Sequence, residues 1–320
     1  MPVLRLVLLA VGLASLLAGS AQAAPVGALK QYKVPTANSQ PRAITNGSDG
    51  NRWFTLGTEF TNAPPAIARI TPAGAVTEFR PPCDGCIVSD IVQGPEGVLY
   101  YTSNHAELGR ITTGGVFLPA IPMPETDALG GEIAVHGSQI WISDFNNDAI
   151  WRYDTPSGAF TRFDVSEPSD VAVDSAGIVW FAATLASAVG RLDPATGTVT
   201  LTPTDTLAPR AVTVAADGQI WFSARFTPQG VGRLNPATNE VTEFPLPANP
   251  GPQDIAGSPD GTVWFTQTTK GNIARIDNSG VITEGKVVKG SEPFGITVEP
   301  DGDPWYTMFE ADKIGEFQLR

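Results

Sequence analysis

The stretch Pro41-Arg-Ala-Ile-Thr-Asn-Gly-Ser-Asp-Gly-Asn-Arg-Trp-Phe-Thr55 recurs in outline seven times along the chain. Its aromatic end returns as Tyr100-Tyr101-Thr102, Trp141-Ile142-Ser143, Trp180-Phe181-Ala182, Trp221-Phe222-Ser223, Trp264-Phe265-Thr266 and Trp305-Tyr306-Thr307. The intervals are 47, 41, 39, 41, 43 and 41 residues, with a mean of 42, so seven units nearly fill the 320 residues. Each unit opens after a proline, as in Pro41-Arg42-Ala43-Ile44, and passes an Asp-Gly turn such as Asp49-Gly50 before the aromatic phrase. Glycine there accepts positive φ without steric cost, which makes Asp-Gly between apolar runs a hairpin turn. A third segment of the kind Ile67-Ala68-Arg69-Ile70 and a fourth such as Val76-Thr77-Glu78-Phe79 complete the unit. Four alternating segments imply four short antiparallel strands. Repeats of about 40 residues with four strands each are the mark of propeller blades.

The expected fold is therefore all-β: a seven-bladed β-propeller with four antiparallel strands per blade. Lys313-Ile314-Gly315-Glu316-Phe317 supplies the third strand of the last unit, and Leu29-Lys30-Gln31-Tyr32 has the outer-strand pattern. The N-terminal strand is thus expected to close the ring. No window after residue 23 carries a convincing 3.6-residue period, so no helix is required.

Residues 1–23 read as an export signal, with Arg5, the apolar run Leu6 to Ala18, and the small-residue cleavage site Ala21-Gln22-Ala23. Thirteen apolar residues are too few to span a bilayer, and no cysteine follows to carry a lipid. Residues 24–320 are expected to form one propeller domain, exported to the periplasm or the medium, with no membrane contact after signal cleavage and monomeric. The 33 glycines and 28 prolines exceed ordinary usage of about 12%. They mark turns and blade openings. A net charge of −13 repels phosphate backbones and excludes nucleic acid as a partner.

The seven aromatic phrases would serve as stacking platforms only if exposed; one per blade on an inner strand, they are expected to pack between blades. Arg69, Arg110, Arg152, Arg191, Arg233 and Arg275 hold one position in six third strands, and Glu316 takes the seventh. Spread round a ring they cannot converge on an anion, so pairing with acids of neighbouring strands is expected. Cys83 and Cys86 sit between the first and second units, without the helix that a redox motif uses, and export favours a small disulfide. Of two histidines, His136 lies in a turn at the far end. His105 shares the end at which the blades open, so it is the histidine available to a mouth site, against the plainer reading of a solvated loop residue.

That mouth is expected to be lined by the residue after each opening proline and by its neighbour. The first set is Arg42, Ser89, Gly131, Ser169, Arg210, Gln253 and Phe294; the second is Ala43, Asp90, Glu132, Asp170, Ala211, Asp254 and Gly295. These positions vary where all around them repeats, which points to use by a ligand, although solvation of a polar channel also tolerates variation. Mixed arginines and acids suit a small polar or peptide-like ligand.

The phrases Pro41-Arg-Ala-Ile-Thr, Ile273-Ala-Arg-Ile, Val241-Thr-Glu-Phe-Pro-Leu-Pro and Asp312-Lys-Ile-Gly resemble the streptogramin B (virginiamycin B) lyase family across all seven repeats. The resemblance implies an elimination that opens a cyclic depsipeptide. A base removes the proton α to the ester carbonyl while Mg²⁺ stabilises the enolate. In the family, histidines follow the proline of the last two blades; here Gln253 and Phe294 stand there, and neither accepts a proton at neutral pH. The family's first-blade tyrosine is Arg42. Its glutamate before the last proline is kept as Glu292, and its metal-binding glutamate as Glu310, with one extra residue between it and the tryptophan. Glu292 is the remaining candidate base, provided that burial raises its proton affinity. The sequence favours a lyase-like propeller that binds a ligand at its mouth with catalysis altered or lost. The alternatives are a Mg²⁺-dependent lyase acting on a different cyclic ester, and a lactonase-type metal hydrolase, whose members usually have six blades.

Overall fold

The computed structural model describes residues 27–57, 63–83, 85–125 and 131–319. The proposed signal, residues 1–23, lies outside the described residues. The chain forms seven four-stranded antiparallel sheets. Blade one runs Ile44–Asn46, Arg52–Leu56, Ala66–Ile70 and Val76–Phe79. Blades two to six open with Val88–Gln93, Ile133–His136, Pro168–Val173, Ala211–Val214 and Pro252–Gly257. Blade seven takes Pro293–Val298, Pro304–Met308 and Lys313–Gln318 from the end of the chain and its outer strand, Ala28–Lys33, from the beginning. The ring therefore closes as expected, with Leu29 opposite Phe317 and Tyr32 opposite Ile314. Two single 3₁₀ turns, Pro95–Gly97 and Phe309–Ala311, are the helical elements among the described residues. None of the described helices is long and apolar enough to cross a membrane.

Each aromatic phrase packs onto the blade that follows it. Trp53 joins Ile91, Leu99 and Tyr101 of blade two; Trp180 joins Val212, Ile220 and Phe222 of blade five; Trp305 joins Phe54 and Ala68 of blade one. The six tryptophans at this position are at most 1% exposed. Large aromatic area buried between blades drives the ring together, as the repeat implied.

The repeated arginines find a different main partner from the one expected. Arg69, Arg152, Arg233 and Arg275 lie over Trp53, Trp141, Trp221 and Trp264 at 5.5 to 5.7 Å from the ring centroid. The cause is register: each arginine is directly opposite its tryptophan on the adjacent strand, which lays the guanidinium over the ring face. Acids remain secondary partners, as in Arg69 to Asp49 at 3.9 Å and Arg275 to Asp260 at 3.6 Å. Blade seven inverts the arrangement. Arg52 of blade one covers Trp305, while Glu316 accepts the Tyr32 hydroxyl at 2.5 Å.

The hydroxyl that ends the phrase latches neighbouring blades. Thr307 Oγ1 accepts from the Gly295 N–H at 2.8 Å and donates to the Arg42 carbonyl at 2.7 Å, sewing blade seven to blade one. Thr102, Ser223 and Thr266 donate likewise to the carbonyls of Gly131, Gln253 and Phe294 in the next blade. Blade four has Ala182 here, and Ser169 Oγ supplies the bond instead, donating to the Arg210 carbonyl at 3.0 Å. The seam is tight enough that a Cβ on Gly295 would meet the Arg42 carbonyl oxygen at 2.3 Å. Outer strands are tied by acids: Glu78 accepts from Thr36, and Glu243 from Thr206 and Leu207. Asp312 takes the backbone N–H groups of Asn38, Ser39 and Gln40 at 2.7, 2.8 and 3.2 Å, so the Asp-Lys-Ile-Gly phrase serves closure. Cys83 and Cys86 form a disulfide in the linker between blades one and two.

Candidate functional site

The first strands of all seven blades surround a channel cavity of about 180 Å³. The second set of varied positions lines it completely: Ala43, Asp90, Glu132, Asp170, Ala211, Asp254 and Gly295. From the first set, Arg42, Ser89, Arg210, Gln253 and Phe294 also line it. Ser169 is turned to its latch, and Gly131 packs so closely on Ser143 that a Cβ would lie 2.4 Å from its oxygens. His105 lies in the loop between the second and third strands of blade two, where its N–H donates to Ser103 Oγ at 3.2 Å, and it is not part of this lining.

Three of the channel acids have a structural duty that composition did not reveal. Asp90, Asp170 and Asp254 each accept from the N–H of the following residue, at 2.7 to 2.8 Å, through one oxygen. The other oxygen accepts from the next blade: Ile133 N at 2.8 Å, Val212 N at 2.7 Å and Ile296 N at 2.9 Å. They staple blade two to three, four to five, and six to seven. Burial pushes the carboxyl of Asp254 up to about 7, against the pull of its two N–H donors. Burial raises Asp90 and Asp170 well above the usual range too, and the negative charge of Glu132 adds to it. Glu132 itself meets Arg210 at 3.4 Å.

At the opening, Phe294 stacks on Phe309 with ring centroids 5.5 Å apart, and the Arg42 guanidinium lies over Phe294 at 5.4 Å. On the neighbouring side Arg225 donates to Gln253 Oε1 at 2.6 Å, and Gln253 is 3% exposed. The two positions that carry histidines in the family are thus filled by an aromatic stack and by an amide held to a guanidinium. Glu292 is exposed at the rim, without the burial a replacement base requires. Its carbonyl accepts from Phe309 N at 3.1 Å, and Glu310 N donates to Ser291 O at 3.3 Å, so the two glutamates sit on adjoining backbone. Glu310 Oε1 accepts from Gln40 Nε2 at 3.0 Å. Two carboxylates with only oxygen to offer fit a hard cation that keeps several waters. The one group of three possible ligands among the described residues, Glu299, Asp301 and Asp303, lies at the far end of blade seven, where Glu299 is ion-paired with Arg52.

Arg225, Phe309 and Gln40 escaped the sequence reading. The signal for two of them was present. Four residues after each unit's leading aromatic stand Gly57, Asn104, Phe145, Thr184, Arg225, Thr268 and Phe309, a ring as varied as the one at the blade openings. In a propeller those loops share the mouth end.

Fold and mouth together define the class: a seven-bladed propeller with a polar, aromatic-rimmed cavity on its axis. The model of the virginiamycin B lyase family matches residues 21–206 and 198–320, and the chain belongs to that family. It is 29% identical over 232 residues to the virginiamycin B lyase of Nocardia farcinica, an alignment covering 67% of this chain and 78% of that protein. A streptogramin B lyase structure superposes with a TM-score of 0.82 at 27% identity, covering 92% of this chain and 98% of the other. A catalytically inactive histidine-to-alanine form of the Staphylococcus aureus virginiamycin B lyase, solved with quinupristin, superposes with a TM-score of 0.81 at 27% identity, covering 92% and 99%.

Proposed function

We propose that this protein is an exported, lyase-like propeller that binds a small polar or peptide-like ligand at its central mouth, with the family's proton abstraction altered or lost. The observation that carries the reading is the fate of the two histidine positions. Gln253 is bonded to Arg225 and Phe294 is stacked between Arg42 and Phe309, so the opening offers recognition surface where the family has bases. The inactive lyase crystallised with quinupristin indicates that a relative without its histidine still holds such a ligand. Calorimetric titration with a cyclic streptogramin B tests this. Wild-type protein is expected to give a binding isotherm, and Phe294→Ala to weaken it about tenfold, the scale of one lost aromatic contact. No heat with the wild type, either from this macrocycle or from an acyclic N-acyl amino acid, would refute the reading.

A second reading, a Mg²⁺-dependent lyase on another cyclic ester, is favoured by the retained, adjoining Glu292 and Glu310. When bound there, the ion would supply Lewis-acid stabilisation of an enolate oxygen. Titration with Mg²⁺ separates the two: heat that disappears in Glu310→Gln supports a metal site, and no heat leaves Glu310 as the partner of Gln40.

A further inference from the structure

Two guanidiniums at the mouth lack the partner that charge alone would choose. The chain is acidic, with 33 Asp and Glu against 20 Lys and Arg. Even so, among the described residues neither Arg42 nor Arg225 is ion-paired: one rests on a ring and the other on a neutral amide oxygen. Burial, and then the like charge of Arg210, work against the proton on Arg225, while Glu292 works for it. Arg225 is exposed enough for an anion to reach it, and an anion there would offset the charge of Arg210.

The surface beside Arg225 is apolar. Phe226, the next residue, is 57% exposed, and loops at the same end of blades four and three present Leu185 at 66% and Phe145 at 41%. Three large apolar side chains are thus exposed on consecutive blades at the end where the cavity opens, and exposed apolar surface of this kind suits binding. The neighbouring Glu292 disfavours a dianion more than a monoanion. Arginine with free N–H groups recognises a carboxylate through paired, charge-assisted hydrogen bonds.

Resting on the reading of the mouth as a ligand site, we propose that its ligand is a carboxylate-bearing, peptide-like acid with a large apolar side chain next to the carboxylate. The carboxylate pairs with Arg225, and the side chain packs on Phe226. Charge complementarity selects this occupant over a neutral macrocycle.

The probes are N-acetyl-L-phenylalanine and its amide, titrated into the full chain by ligand-observed NMR. The acid is expected to bind at least about tenfold more tightly than the amide. Arg225→Gln is expected to abolish that preference while the circular dichroism spectrum of the folded chain is kept, and Phe226→Ala to weaken the acid severalfold. Inorganic phosphate at equal concentration is expected not to displace it. Equal binding of acid and amide, or a preference that survives Arg225→Gln, overturns the proposal. If a cyclic streptogramin B binds and neither phenylalanine derivative does, this inference fails while the mouth remains a ligand site. If none of the three binds, both fail.

Discussion

Thr307 shows how much of this ring rests on single hydroxyls. It is fully buried and bridges a donor in its own blade and an acceptor in blade one, 265 positions away in sequence. Thr307→Val keeps the shape and removes both bonds, leaving a buried N–H and a buried carbonyl unpaired, which costs about 1–3 kcal/mol. Urea denaturation is expected to show that loss, and an unchanged midpoint would mean that water replaces the hydroxyl. The substitution of Ala182 at the same repeat position argues for the latch, because Ser169 has taken over the bond to Arg210. This exchange was not legible in the sequence. A Ser or Thr after two aromatics reads as ordinary strand composition until the next blade's carbonyl is seen in front of it.

At the scale of strands, the closure was legible and the partners of the third strand were not. The outer-strand pattern of Leu29 to Tyr32 and the missing fourth segment of the last unit are both patterns of one chain in one dimension. The structure pairs them residue for residue. Tyr32 then stacks flat on Trp305 at 5.4 Å, and Val34 is wholly buried. Deleting Leu29 to Val34 exposes that ring and the outward edge of the strand Lys313–Gln318. At about 2 °C per kcal/mol for a chain of this size, the melting temperature is expected to fall on the order of 10 °C. A melt within 1 °C of the wild type would contradict closure as a source of stability. By contrast, the choice of tryptophan over carboxylate by Arg69 and its equivalents depends on which residues face each other across two strands. Register of that kind follows from turn geometry that periodicity alone leaves open.

For the whole molecule, four acids crowd the axis, and burial makes three of them hold their protons more tightly than ordinary carboxyls do. Asp254 binds its proton more strongly in the folded chain, at about 7, than the ordinary value near 3.9 of an unfolded one. Its contribution to stability is present at acid pH and is lost as pH rises through the folded value. Asp90 and Asp170 shift in the same direction. The melting temperature is therefore expected to decline from pH 5 to pH 8, as read by circular dichroism, and a rise across that window would contradict the assignment. Glu243 and Asp260, whose carboxyls are held below their usual range, act below this window. The ring of acids was legible as variation at one repeat position. Its division into three staples and one acid paired with Arg210 was not, because backbone donors leave no trace in composition. The same limit hid Arg225 and Phe309, which belong to a second variable ring one strand further on.

The central proposal is that this family member keeps the mouth as a ligand site, with the family's proton abstraction altered or lost. It is tested most directly by incubating the protein with a cyclic streptogramin B and Mg²⁺ and separating the products by liquid chromatography with tandem mass spectrometry. Elimination opens the ring without changing its mass, so retention time and fragmentation carry the result. The macrocycle is expected to be recovered intact, with Gln253 and Phe294 in place of the histidines. A linear isomer formed by the wild type and lost in Glu310→Gln would contradict the claim.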